Sequence, residues 1–305
     1  MRPEDHINFT QSAIETWEED FGKATDRQRD LLVRRLNSLL RQYPLDTFEN
    51  GIIRPSGKNL ATATKIFKLM QGTMWPKYLI SGWSDTEKVI TSLERANQKY
   101  FESLNIAFSD KPVYRSLISD SINVVQFTFN RDGRRDLLEK PIQDMLNTYV
   151  RQGGDLDGMV TVFERSLRNN APVSSRIGQG VRQSFANYRR IPQQTTDSLF
   201  TLNRSYQTAV ADSLGMDWFK YLGGRVKDTR DFCMDRLGGY YHRSEIEHWG
   251  KTERWDGRIK GTNEVNIFQR LGGYGCRHSL APVTLAAVPN RWIERAISEG
   301  FYQRQ

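Results

Sequence analysis

A chain of 305 residues with 38% hydrophobic residues has room for about two domains, and two cysteines exclude a disulfide-built scaffold. No apolar run approaches the roughly 20 residues needed to cross a bilayer, and the acidic start MRPEDHINFTQSAIETWEEDF is no signal peptide. The expected state is a soluble protein made in the cytoplasm with no membrane partner. A net charge of +8 favours an acidic partner, nucleic acid foremost, although excess Lys and Arg also serves solubility alone.

The first two-thirds reads as helices. Leu32, Leu36, Leu39 and Tyr43 recur at three- and four-residue steps, with Thr25 or Asp26 as N-cap and Pro44 as a stop. Val89, Leu93, Ala96, Tyr100 and Leu104 form a second stripe behind Ser84 or Asp85. A third helix ends at Gly153 and Gly154, and Pro141 within it demands a bend or a later start. Shorter helices are predicted at 8–21, 60–71, 111–122 and 156–168, while NVVQFTFN (123–130) alternates like a strand without deciding the matter. Near residue 170 the composition turns to Gly, Pro, Ser, Asn and Gln, as a linker would. Arg176, Arg182, Arg189 and Arg190 there face only one acid, Asp197. They are the best local candidates for a phosphate backbone, with a solvated basic face as the plainer reading.

A helix from about 197 to 213 follows, lined by Leu199, Leu202 and Tyr206. MDWFKYLGGRV then reads as a strand and turn, and KDTRDFCMDRLGGYYHRSEIEHW as a short helix, a glycine turn and another helix. The expected fold class is mainly α: an irregular helical N-terminal region (1–170), a basic connection (171–196), a small loop-rich α+β C-terminal module (197–286) and a tail (287–305). A module so poor in aliphatic residues needs something besides a hydrophobic core to fix its loops.

Three of the four histidines (His242, His248, His278) and both cysteines fall between 233 and 278. Cys233, His242, Cys276 and His278 would make a two-sulfur, two-nitrogen set for tetrahedral zinc, although the spacing is no zinc knuckle. On a strand, Cys276 and His278 would face the same side. A Cys233–Cys276 disulfide is the second option, and two buried thiols packed as small hydrophobes the third. A metal-dependent nuclease using His242, Glu245, His248 and His278 is a further alternative, but no nucleophile, base and orienting group stand at a diagnostic spacing.

The order of these segments resembles the C-terminal domain of the Mu F-like minor head proteins of tailed phages. Asp228, Arg230 and Cys233 match its first element. Gly238, Gly239, Tyr241 and Ile246 match the second, and Gly272, Gly273, Cys276, Arg277 and His278 the closing G-G-x-x-C-R-H. The likeness covers about 197–285, and Asp231 stands where a proline is common. It implies a structural virion component rather than an enzyme: a low-copy protein of the portal vertex or capsid interior, incorporated from the host cytoplasm during assembly. The partners it implies are the portal, the major capsid or scaffolding protein, and packaged DNA bound without sequence preference, with a role in packaging or delivery.

Overall fold

The computed structural model describes residues 1–74, 77–104, 119, 122, 123, 126, 135, 139–168 and 176–304, leaving aside the side chains of 77–81, 166, 168, 176–191 and 194. The protein is mainly helical, with one small antiparallel sheet in its C-terminal region. It divides into two compact units that interleave along the chain. One comprises Met1–Trp17, Thr86–Val125 and Thr195–Gln305, the other Glu18–Asp85 and Gln126–Gln194. The first three helices are α1 (Pro3–Gln42), α2 (Gly57–Met74) and α3 (Lys77–Ser103). They are followed by α4 (Lys140–Gln152), α5 (Leu156–Arg168) and α6 (Arg176–Ser213). No helix among the described residues is long and apolar enough to cross a membrane.

The second unit is built on apolar stripes at helical spacing. Leu32, Leu36 and Leu39 of α1 are buried, as are Ala63, Ile66, Phe67 and Met70 of α2. Ile142, Met145, Leu146 and Tyr149 of α4 and Met159, Val162 and Phe163 of α5 complete its core. Pro141 sits in the first turn of α4, where its missing N–H costs nothing. The helix ends at Gly153 at φ 63°, whose N–H returns to the Tyr149 carbonyl. The loop ahead of α2 is held by the buried Asn59, which donates to the carbonyls of Asp46 (2.8 Å) and Arg54 (2.9 Å) and accepts from the Asp46 N–H.

Several expected helix boundaries move. The helices expected over 8–21 and from Thr25 onward form the single helix α1, which ends at Gln42, because Thr25 lies within it, buried, and donates to the Phe21 carbonyl four residues back rather than capping. Ser84 and Asp85 likewise lie inside α3, not at its start. The connection expected over 171–196 is helical from Arg176 onward, with Pro192 inside α6. The side chains of Arg176, Arg182, Arg189 and Arg190 lie outside the described residues, as do most of 111–122 and 123–130.

In the first unit, a polar ladder joins α1, α3 and α6. The His6 ring stacks on Tyr100 with centroids 4.5 Å apart, and its Nε2 lies 3.1 Å from Asn97 Oδ1 and 3.0 Å from Gln207 Nε2. Asn97 in turn donates to Asn203 Oδ1 (2.8 Å). The chain continues through β1 (Trp218–Leu222), α7 (Asp231–Met234), β2 (Tyr240–His242) and α8 (Arg243–Thr252). It ends with α9 (Ile267–Arg270), β3 (Ser279–Val283) and α10 (Asn290–Ser298). The sheet order is β2-β1-β3, with Phe219 opposite Tyr241 and Pro282, and Tyr221 opposite Leu280.

Strand alternation sorts the sheet's side chains. Phe219, Tyr221, Tyr241 and Leu280 pack into a core with Phe232, Cys233, Ile246, Trp249, Ile267 and Cys276. Trp218 and Val283 point the other way, into a smaller core with Val288, Ile293 and Ala296. The expected tail thus holds α10, whose apolar side covers the sheet's second face.

Candidate metal centre

Three loops converge on the first face of the sheet. Arg230, the residue ahead of α7, donates from Nη2 to the Tyr274 carbonyl at 2.7 Å. Tyr274 N–H in turn bonds the Gly257 carbonyl (3.2 Å), and Gly257 lies so close to Arg230 that a Cβ there would stand 2.4 Å from Nε. Gly273, at φ 96°, passes the Gly257 carbonyl where any side chain would collide. The paired glycines of the closing motif are therefore backbone approaches, and Trp255 caps them by donating from Nε1 to the Gly272 carbonyl (3.1 Å).

Inside this junction lie both thiols. Cys233 Sγ and Cys276 Sγ are 3.9 Å apart and free, and Cys276 Sγ is 3.8 Å from His278 Nδ1. All three residues are buried. Their donor atoms lie within 4.8 Å of one another, a group that could hold a metal ion. Cys276 and His278 precede β3 instead of lying on it, yet they still converge. His278 is two residues from Leu280 and keeps that residue's side of the chain.

His242 does not join them. It is the register partner of Trp218 and shares its face of the sheet, against Trp218 and Tyr302, while Tyr241 between β2's end residues takes the thiol side. Its Nδ1 accepts from the Ser244 N–H, making it the N-cap of α8. The four-residue ligand set expected from sequence is thus corrected to three: period-two alternation sends His242 to the opposite face. Glu245 is buried against Arg295 (2.6 Å), and His248 is exposed beside Phe301, so neither approaches His278 as a shared centre.

The electrostatics follow from the contacts. The Cys233 thiol, as hydrogen-bond donor, holds Cys276 well below the usual thiol range; the Arg204 guanidinium and His278 act the same way, against burial. Cys233 is pushed up by that same bond and then by burial.

Among the other motif residues, Arg277 pairs with Glu15 (3.1 Å), and Asp228 is exposed in the loop after β1. Gly238 at φ 79° and Gly239 form the turn that returns to β1, Gly238 N–H bonding the Tyr221 carbonyl (2.8 Å).

Arg204 escaped the sequence reading. Buried on α6, it donates from Nε to the His278 carbonyl (2.8 Å), from Nη1 to Gln269 (3.0 Å) and from Nη2 to Cys276. The available signal was its place four residues after Phe200 and seven before Ala211, on a second buried stripe of the helix. Gly223 was also missed: a Cβ on it would overlap the His278 ring at 2.6 Å. No family model, no curated protein and no solved structure matches the chain.

Proposed function

We propose that the protein is a structural minor head protein of a tailed phage, acting at the portal vertex during head assembly, and that its thiol–imidazole cluster holds a structural zinc. One observation carries the reading. Arg230, Cys233, Gly272, Cys276 and His278, five of the twelve residues of the Mu F-like pattern, contact one another or the loops they join. Residues that close a module on itself suit a part whose task is to keep its shape.

Zinc fits the donor set. With Zn–S near 2.3 Å and Zn–N near 2.0–2.1 Å, tetrahedral donors stand about 3.8 Å apart for two sulfurs and about 3.6 Å for sulfur and nitrogen. The distances here are 3.9 and 3.8 Å. Soft thiolates with one imidazole select zinc over hard cations, and a bound ion would supply a cross-link between loops that hydrophobic burial alone serves poorly. Basic segments such as that around Arg176–Arg190 would favour non-specific contact with packaged DNA by counterion release.

The test is co-assembly. The full chain, expressed together with portal and major capsid proteins of a tailed phage, should sediment with procapsids at a few copies per particle and leave added duplex DNA uncut. Protein remaining wholly in the soluble fraction overturns the assembly role. DNA cleavage with Mg²⁺, Mn²⁺ or Zn²⁺ that His278→Ala abolishes replaces it with the nuclease.

A further inference from the structure

We propose that Tyr221 is the fourth donor of the metal centre, its phenolate oxygen completing a Cys233–Cys276–His278–Tyr221 set. The inference rests on the zinc reading above and adds to it the residue that closes the site. Structural zinc sites are four-coordinate with every position taken by protein, and three donors leave one corner open.

Tyr221 meets the requirement on three independent grounds. It is fully buried, and its hydroxyl has no well-aligned hydrogen bond to any nitrogen or oxygen of the described residues, only the Cys233 thiol beside it. Buried phenols ordinarily make such a bond. It is also on the correct face. Tyr221 is paired with Leu280 on β3, His278 lies two residues before Leu280, and the Tyr221 and His278 rings stand 5.6 Å apart. Both thiols share its core, and its hydroxyl lies beside Cys233. His242, the fourth donor expected from sequence, is on the sheet's other side.

The charge balance points the same way. A divalent ion with two thiolates is neutral, and a phenolate makes the centre singly negative. Arg204 is buried beside it with hydrogen bonds to three neutral carbonyls. A buried guanidinium needs an opposite charge nearby, and an anionic centre supplies it. Thiol and phenol ligands bind a metal in their deprotonated forms, so binding at such a set competes with protons.

The experiment compares the full chain with Tyr221→Phe, which keeps the ring and removes only the oxygen. Zinc content after purification without chelator is measured first, then affinity by competition with a chromogenic chelator, then the visible spectrum with Co²⁺. The unsubstituted chain should hold one zinc, and Tyr221→Phe should bind at least about tenfold more weakly with a shifted Co²⁺ spectrum. Stripping the zinc from the unsubstituted chain with a chelator at neutral pH should also lower tyrosinate absorption, a readout that stands even where the variant fails to fold. A chain that binds no zinc sinks the metal reading itself. Zinc bound without a tyrosinate signal, or with equal affinity and spectrum in Tyr221→Phe, leaves the zinc and overturns the tyrosine.

Discussion

Gly272 runs so close to Cys233 that a Cβ built on it would stand 2.4 Å from that sulfur and 3.1 Å from Cys276 Sγ. The glycine is therefore a fitting for two thiols. Both sulfurs are buried among large side chains and have little room to retreat. Gly272→Ala should destabilise the protein by about 1–3 kcal/mol, the usual cost of overpacking, and lower its zinc content as the thiols separate. Denaturant unfolding and metal analysis check this; an unchanged midpoint would refute the close fit.

Arg204 closes the same junction from the helix side. Replacing it with Met keeps much of the stem but leaves the carbonyls of Gln269, Cys276 and His278 without their donor. Each unsatisfied buried acceptor costs about 1–3 kcal/mol, so Arg204→Met should lower the unfolding free energy by at least about 3 kcal/mol. Arg204→Lys, with a point charge in place of a planar fork, should recover only part of it. Calorimetry of the three proteins is decisive, and equal stability of Met and Arg would show that the fork is not needed.

What was legible beforehand follows from the range of each interaction. The stripes Leu32–Leu36–Leu39 and Leu93–Ala96–Tyr100 are local, and their helices stand where periodicity puts them. Helix starts were not legible, because Thr25 and Ser84 have cap chemistry and capping depends on whether the preceding turn is already helical. The convergence of Cys233 with Cys276 and His278 was visible as clustering of rare residues. The exclusion of His242 was not, since it turns on the register of β2 with β1. Arg204 and Tyr221 were hidden for the same reason: their partners lie 65 to 74 residues away for the arginine, and on a paired strand for the tyrosine.

Gly22 offers the opposite case from Gly272. It lies inside α1, and a Cβ on it would meet nothing within 4 Å. Glycine in a helix interior costs roughly 0.5–1 kcal/mol relative to alanine. Gly22→Ala should stabilise by that amount, seen as a higher denaturant midpoint with an unchanged slope. A loss of stability would mean that the helix needs the glycine there.

His6 gives the protein a pH dependence of definite sign. It is fully buried, stacked on Tyr100 and bonded to Asn97 and Gln207, and burial lowers its pKa from the ordinary 6.5 to about 4, with Asn97 opposing. The unfolded chain therefore binds this proton more tightly than the folded one. Its contribution is complete above the unfolded value and is lost progressively as pH falls from 6.5 to about 4, amounting to roughly 3 kcal/mol. Carboxylates titrate in the lower part of that window, so the measurement is a difference. His6→Gln keeps polar atoms for the ladder but cannot titrate, and its unfolding free energy should fall less steeply between pH 6.5 and 4.5 than that of the unsubstituted chain. Parallel slopes over that range would show that His6 charges as readily in the folded protein as in the unfolded one, and that the ladder opens to admit the proton.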